Sequence, residues 1–189
     1  MVLSDKQIRE KVQSGEIQID PFDEEDLQPA SYDLHLSSQF KVYRPHTSEV
    51  IDPKIGVDGM MEEIIIKAPG YFVLHPGNFA LALIEEKTGV DARHVGRLEG
   101  KSSIARLGLI IHTTAGFLDP GNNLKLTLEL FNASPLPIKL YPGMKIAQIA
   151  FEEMGAECER PYGSKGLNSK YLGDEKIGES KMHLNFKNE

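Results

Sequence analysis

The hydrophobic rhythm of the chain changes once near its start and then holds. Ile8 and Val12, with Ile17 beyond them, recur at helix-like spacing. Ser4-Asp5-Lys6-Gln7 has the form of a capping box, so a short helix is predicted from Ser4 to about Gly15. The prolines and acids from Asp20 to Pro29 predict a loop. From Leu34 the period becomes two, with Leu34, Leu36, Phe40 and Val42 on one face of a strand. Glu63–Ala68, Tyr71–His75 and Phe79–Glu85 follow as strands, separated by Ala68-Pro69-Gly70 and His75-Pro76-Gly77 turns. The clearest alternation is Leu124, Leu126, Leu128 and Leu130; Ile138–Leu140 and Met144–Phe151 continue the meander past Pro135-Leu136-Pro137 and Pro142-Gly143. Short strands joined by turns predict a mainly β domain, a sandwich or barrel of mostly antiparallel strands with one N-terminal helix and a few helical turns. Beyond Glu159 the chain turns polar and glycine-rich, which separates a 1–159 domain from a 160–189 tail belonging to it.

Composition narrows the function more than the fold. The 189 residues are 40% hydrophobic and 26% charged, enough for one ordinary core. A net charge of −7 disfavours a non-specific nucleic-acid or membrane binder, while a few local cations suffice for a small anionic ligand. The single cysteine, Cys158, leaves no internal disulfide, and Met1-Val2-Leu3-Ser4 leads straight into charges, unlike a secretory signal. No apolar run reaches the roughly 20 residues of a membrane helix, and a cytoplasmic protein is expected.

The candidate chemistry is concentrated between Gly100 and Leu130. Gly100-Lys101-Ser102 suggests a phosphate loop, but that motif requires glycine where Val95 stands, and Gly108 would stop the following helix. Lys101, Ser102, Ser103 and Arg106 still fit two arrangements: a phosphate-binding turn, or a surface helix capped by Ser102 or Ser103. Glu129 is also ambiguous by position. On the face opposite the leucines, with Lys125 and Thr127, it is either a solvated carboxylate or one that points with Thr127 into a pocket, where its pKa would rise and it could move protons. Asp33 reads equally as an organiser of the phosphate site or a subunit contact, and as a strand-end cap. His112, among Ile110, Ile111 and Thr113, reads as a structural histidine; His35, His46, His75, His94 and His183 lack metal-ligand spacing and read as structural or surface residues.

Taken together, Gly100-Lys101-Ser102-Ser103-Ile104-Ala105-Arg106-Leu107-Gly108-Leu109, His112-Thr113-Thr114-Ala115-Gly116-Phe117-Leu118-Asp119-Pro120-Gly121 and Thr127-Leu128-Glu129 resemble the dCTP deaminases of the dUTPase superfamily. Gln28-Pro29-Ala30-Ser31-Tyr32-Asp33-Leu34, Tyr141-Pro142-Gly143-Met144-Lys145-Ile146-Ala147-Gln148 and the segment from Arg160-Pro161-Tyr162-Gly163 to Ser169-Lys170-Tyr171 extend the resemblance over nearly the whole chain. It implies a homotrimer of distorted jelly-roll or barrel subunits, with dCTP and dUTP sites shared between neighbours and closed by the tail. By the same resemblance, the positions of Lys101, Ser102, Ser103, Ile104, Ala105 and Arg106 hold a triphosphate carrying Mg²⁺. The position of Asp119 meets the deoxyribose, Thr127, Leu128 and Glu129 meet the cytosine, and Gln148, Tyr162 and Lys170 contact mostly phosphate. Glu129 matches the catalytic glutamate, supported by Ser102 and Arg106.

Zinc nucleobase deaminases hold their metal with His-x-Glu and Pro-Cys-x-x-Cys, a pattern this chain lacks. A water not activated by zinc keeps a pKa of about 15.7, so another group must take its proton as it adds to cytosine C4. Glu129 is the residue expected to do so. Family members divide into those that release dUTP and those that continue to dUMP and pyrophosphate; Ala115-Gly116-Phe117 has the dUMP-forming pattern, in which glycine is expected to leave room for water near the α-phosphate. The favoured expectation is therefore the two-step enzyme supplying dUMP, ahead of a deaminase releasing dUTP and of a non-catalytic nucleotide sensor. Two positions depart from the pattern: Asp174 replaces the usual glutamine, and Asn122-Asn123 the usual aromatic and small pair.

Overall fold

A computed structural model describes residues 1–44 and 48–186. Helix α1 (Asp5–Ser14) is closed at its start by the predicted capping box: the Ser4 hydroxyl accepts from the Gln7 N–H and the Gln7 side chain accepts from the Ser4 N–H. Gly15 ends it at φ 81°, so Ile17 lies beyond the helix and opens β1 (Ile17–Asp20). The chain continues through β2 (Leu27–Gln28), β3 (Ser31–Tyr43), β4 (Met61–Ile65), β5 (Phe72–Leu74), β6 (Phe79–Val90), β7 (His94–Gly100), the short α2 (Ser102–Ala105), β8 (Leu109–Ile110), β9 (Phe117–Leu118), β10 (Asn123–Asn132), β11 (Ile138–Leu140) and β12 (Lys145–Glu153). Short 3₁₀ turns occupy Glu24–Asp26 and Met182–Phe186.

All described pairings are antiparallel. The main path runs β8-β10-β6-β3-β12-β7-β9, with β1 joined to β6 and with β2 and β4 joined to β3. Strand β3 serves two parts of this path. Its first half, Tyr32–His35, pairs with β12, whereas Leu36, Phe40 and Lys41 pair with β6, with a register shift between Leu36 and Phe40. A strand that changes partners midway curls the sheet into a half-barrel, the mainly β architecture that the alternation predicts. The hydrophobic core includes Tyr32, Leu34, Leu36 and Phe40 of β3, Ile149 and Phe151 of β12, and Leu128 and Leu130 of β10. The rings of Phe40 and Phe72 stack there, with centroids 4.3 Å apart.

Strands β1, β2, β7, β8 and β9 and the second half of β6 escape the sequence pattern, β2 lying inside the stretch expected to be loop. Strand β6 continues five residues past the predicted end at Glu85, through Glu86-Lys87-Thr88-Gly89-Val90. Glu86 and Thr88 are buried in it, and the Glu86 carboxylate accepts from the His35 backbone N–H at 3.0 Å and meets His35 Nδ1 at 2.6 Å. Strand β7 contains Gly96, where a Cβ would sit 2.9 Å from Ile149 Cδ1 and 3.1 Å from Leu118 Cβ. Its glycine permits close packing against β12 and β9 on both sides.

The histidine expectations divide. His35 takes part in the structural contact just described, His94 is buried with Nδ1 2.7 Å from Asp91 Oδ1, and His75 is exposed. His46 lies outside the described residues. Asp33 is buried and ion-paired with Lys101 and, at 3.4 Å, with Lys145.

Candidate active site

The Asp119-Pro120-Gly121-Asn122 turn is the point about which the site is built. The Asn122 N–H donates to the Asp119 carbonyl at 3.0 Å, with Pro120 second and Gly121 third at φ 82°, as a type II turn requires. A Cβ on Gly121 would also lie 2.6 Å from Pro161 Cβ, so the same glycine lets the tail pack on the turn. The Tyr162 N–H then donates to the Pro120 carbonyl at 2.7 Å, and the Tyr162 hydroxyl accepts from the N–H groups of Lys170 and Tyr171 at 3.1 Å each. One turn thereby sets both Asp119 and the 160–171 segment.

These residues enclose a cavity of about 420 Å³. Asp119, Thr127, Glu129, Tyr162, Tyr171 and Asp174 give it polar groups, while Tyr43, Met61, Phe79 and Leu81 form an apolar wall. That is the size and mixture typical of a small-molecule site. Glu129 is half-buried; its Oε2 accepts from the Thr113 N–H at 3.3 Å. Burial drives its pKa above the ordinary 4.5, opposed by that N–H and by nearby His112. Burial likewise raises Asp119 above 3.8. Two carboxyls whose pKa values burial raises thus share one cavity, a setting suited to proton transfer.

The strand carrying Glu129 departs from a strict alternation. Leu124, Leu128 and Leu130 are buried as predicted, but Leu126 is half-buried and lines the cavity. A register shift between Lys125 and Thr127 separates the β10 pairing into two stretches. In the freed region the Lys125 N–H donates to the Asp174 carbonyl at 2.8 Å, and Thr127 Oγ1 accepts from the Gly178 N–H at 3.3 Å. The tail thus lies along this part of β10. Asn122, one of the two departures from the family pattern, is buried and lines the cavity.

The remaining predicted residues gather elsewhere. Ser31 donates to Gln148 Oε1 at 2.8 Å, Gln148 donates to the Gly100 carbonyl at 3.2 Å, and Lys101 pairs with Asp33. Next to them, α2 has Lys101 rather than a serine as its N-cap, and no side chain caps it. Ser102, Ser103, Ala105 and Arg106 are exposed. None of Lys101, Ser102, Ser103, Arg106 or Gln148 lines the cavity with Glu129. Lys170 lines an adjoining recess with Asp119 and Tyr162.

Three expectations change at atomic detail. Ile104 and Leu128 are buried in the core, so they have only their main chain to offer a ligand. Gly116 does not line the cavity, although Ala115 and Phe117 do; a Cβ on Gly116 would meet the Leu98 carbonyl at 2.9 Å and His112 Cε1 at 3.3 Å. The glycine therefore makes room for protein atoms within the subunit. Tyr43, Met61, Phe79, Leu81, Asn122 and Tyr171 were missed as site residues. The first four sit in strands whose apolar pattern reads as core, whereas Tyr171, adjacent to Lys170, and Asn122, following Pro120-Gly121, carried a local signal.

Comparison with known proteins follows this geometry. A protein of Corynebacterium jeikeium named "dCTP deaminase, dUMP-forming" is 47% identical over 188 residues, covering 100% of both chains. Proteins of the same name from Corynebacterium glutamicum and Thermobifida fusca are 46% identical over 188 residues and 43% identical over 186, covering 100% and 98% of this chain and 100% and 95% of theirs. Among solved structures, 2'-deoxycytidine 5'-triphosphate deaminase from Agrobacterium tumefaciens has the same fold, with a TM-score of 0.63 at 23% identity. The match covers 82% of this chain, which spans 48% of that one. The family model described as dCTP deaminase-like matches residues 2–154, and the chain belongs to that family.

Proposed function

We propose that the protein converts dCTP to dUMP, pyrophosphate and ammonia in two hydrolytic steps, supplying dUMP in the cytoplasm. The carrying observation is Glu129, a half-buried carboxyl with a raised pKa, in a nucleoside-sized cavity beside Thr127 and Asp119. Relatives of equal length named for the dUMP-forming reaction support the same reading.

In the first step Glu129 takes a proton from water as oxygen adds to C4 of cytosine. It delivers that proton to N3, then carries the C4 hydroxyl proton to the amino group, so that C4=O forms, the C4–N bond breaks and ammonia leaves, giving dUTP. The Thr113 N–H holds one carboxylate oxygen and so fixes the direction of the other. General acid–base help of this kind contributes about 10²–10⁴ in rate, and oriented hydrogen bonds supply the remainder. In the second step water attacks the α-phosphorus and pyrophosphate departs, with Asp119 or a neighbour orienting that water. Gly116 and Phe117 are proposed to permit this step. Gly116 would act indirectly, by the backbone path it sets against Leu98, and Phe117 directly on the cavity.

The triphosphate is assigned to Lys101, Ser102, Ser103, Ala105 and Arg106, the main chain at Ile104, and Gln148, with Tyr162 and Lys170 from the tail. Ser102 and Arg106 are exposed and absent from the Glu129 cavity, which supports a site completed by a neighbouring copy in a homotrimer. Thr127, Glu129 and the main chain at Leu128 are assigned to the base, Asp119 to the sugar, and residues 160–189 to covering the ligand. The Mg²⁺ is assigned to the triphosphate itself rather than to protein ligands.

Incubation with dCTP and Mg²⁺ tests the proposal by following ammonia, dUTP, dUMP and pyrophosphate. Ammonia, dUMP and pyrophosphate in equal amounts are expected. Accumulating dUTP would restrict the enzyme to deamination, and bound dCTP without product would identify a sensor.

A further inference from the structure

The carboxy-terminal segment contains a cation that the proposed chemistry leaves unused. The Lys181 ammonium donates to the Lys170 carbonyl at 2.7 Å and to the two Asp174 carboxylate oxygens at 3.0 and 3.3 Å. It also lies 4.9 Å from the Tyr171 ring centroid, while the Lys181 backbone N–H donates to the Tyr171 hydroxyl at 3.0 Å. The Tyr162 hydroxyl holds the N–H groups of Lys170 and Tyr171. The Lys170–Asp174 turn is therefore gripped between Tyr162 and Lys181.

Asp174 makes this grip consequential, because it lines the same cavity as Glu129. A carboxylate there opposes a polyanionic nucleotide. Among the described residues Lys181 is its ion-pair partner, with side chains 34% and 26% exposed for Lys181 and Asp174. An isolated pair that exposed contributes little to stability. Here the same ammonium also satisfies a main-chain carbonyl and covers an aromatic ring, which fixes its position.

We propose that Lys181 is a positioning residue for nucleotide binding: it neutralises Asp174 at the cavity wall and holds Lys170 and Tyr171 toward the ligand. This rests on the nucleotide reading of the cavity and adds a determinant of affinity to it. The segment has other fastenings. Ile177 is buried with Met61, Leu81 and Leu83, Glu179 pairs with Lys41 at 2.7 Å, and the main chain bonds to Lys125 and Thr127. Loss of one ammonium leaves the segment docked and exposes the charge on Asp174.

The test compares Lys181→Met, Lys181→Arg, Asp174→Asn and the double variant Lys181→Met/Asp174→Asn, by equilibrium titration with dCTP and separately by turnover. Lys181→Met is expected to raise Kd and KM roughly five- to tenfold, more at low salt, with kcat within about twofold of the parent. Lys181→Arg should restore binding, and the double variant should recover most of the loss, a relief that a purely structural role would not give. A Lys181→Met Kd within about twofold of the parent overturns the proposal, as does a loss that Asp174→Asn leaves in place. A parent that binds dCTP but forms no product refutes the catalytic reading, while the Kd series still decides the role of Lys181. A parent that does not bind dCTP refutes both.

Discussion

Replacement of Glu129 by Gln separates proton transfer from every other property of the site. The amide has nearly the volume of the carboxylate and keeps an oxygen to accept from the Thr113 N–H, at 3.3 Å in the parent. What disappears is a group able to take a proton from water and return it. At about 10²–10⁴ for such help and 1.36 kcal/mol per decade, the deamination barrier should rise by about 2.7–5.4 kcal/mol. The Kd for dCTP should stay within about threefold, since one acceptor oxygen replaces another. Single-turnover ammonia release, with dCTP titration on the same preparation, reads both quantities. Deamination by Glu129→Gln at more than about a tenth of the parental rate would refute the assignment.

The same variant has a stability signature of defined sign. Because burial raises the Glu129 pKa above 4.5, the folded protein binds more protons than the unfolded chain between 4.5 and the raised value. Parental stability therefore falls as pH rises through that window. Glu129→Gln lacks this penalty, so it should melt above the parent at neutral pH and converge with it below 4.5. A constant difference across the range would mean that burial does not govern the carboxyl.

Two further substitutions test the frame. Gly96→Ala places a Cβ 2.9 Å from Ile149 Cδ1 and 3.1 Å from Leu118 Cβ; the first can rotate away but the second cannot. A loss of about 1–3 kcal/mol in urea unfolding is expected, and an unchanged midpoint would show that the strands can part. Asn132→Ala removes a fully buried amide that donates to the Leu74 and Leu136 carbonyls at 2.8 and 2.9 Å and accepts from the Ser134 N–H at 2.9 Å. The Leu136 carbonyl keeps the Ser134 hydroxyl as donor, but the Leu74 carbonyl and the Ser134 N–H lose their partner at about 1–3 kcal/mol each, so unfolding measurements should show a loss above about 2 kcal/mol, and a smaller one would mean that solvent reaches them.

The helix cap and the central strands were legible because local chemistry determines them. Ser4, Gln7 and Gly15 meet the needs of a helix end, and Leu128 and Leu130 turn to the core by period alone. The second half of β6 was illegible because Glu86, Lys87 and Thr88 have the composition of a loop. Glu86 is tolerated in the interior only because β3 brings His35 to it from 51 positions away, a contact that no window along the chain contains. Strand β7 was hidden for a related reason: Gly96 reads as a breaker until its neighbours β9 and β12 are known to crowd it.

The site divides along the same line. Thr127 and Glu129 needed only the period of β10 to share a side, and both line the cavity. Ser102 and Arg106 lie close to them in sequence, yet β7 and the short α2 carry that group to an exposed surface beside Gln148 and Asp33. Proximity along the chain thus gives the parts of a nucleotide site without saying that one subunit assembles them. Within a single chain, the Glu129 cavity has Lys170 in the recess beside it, while exposed Arg106 and Ser102 lie elsewhere. A triphosphate needs several donors at once. Under the proposed homotrimer, an arrangement that offers its carboxyl in one place and an exposed arginine and serines in another would gain its full set from a second copy.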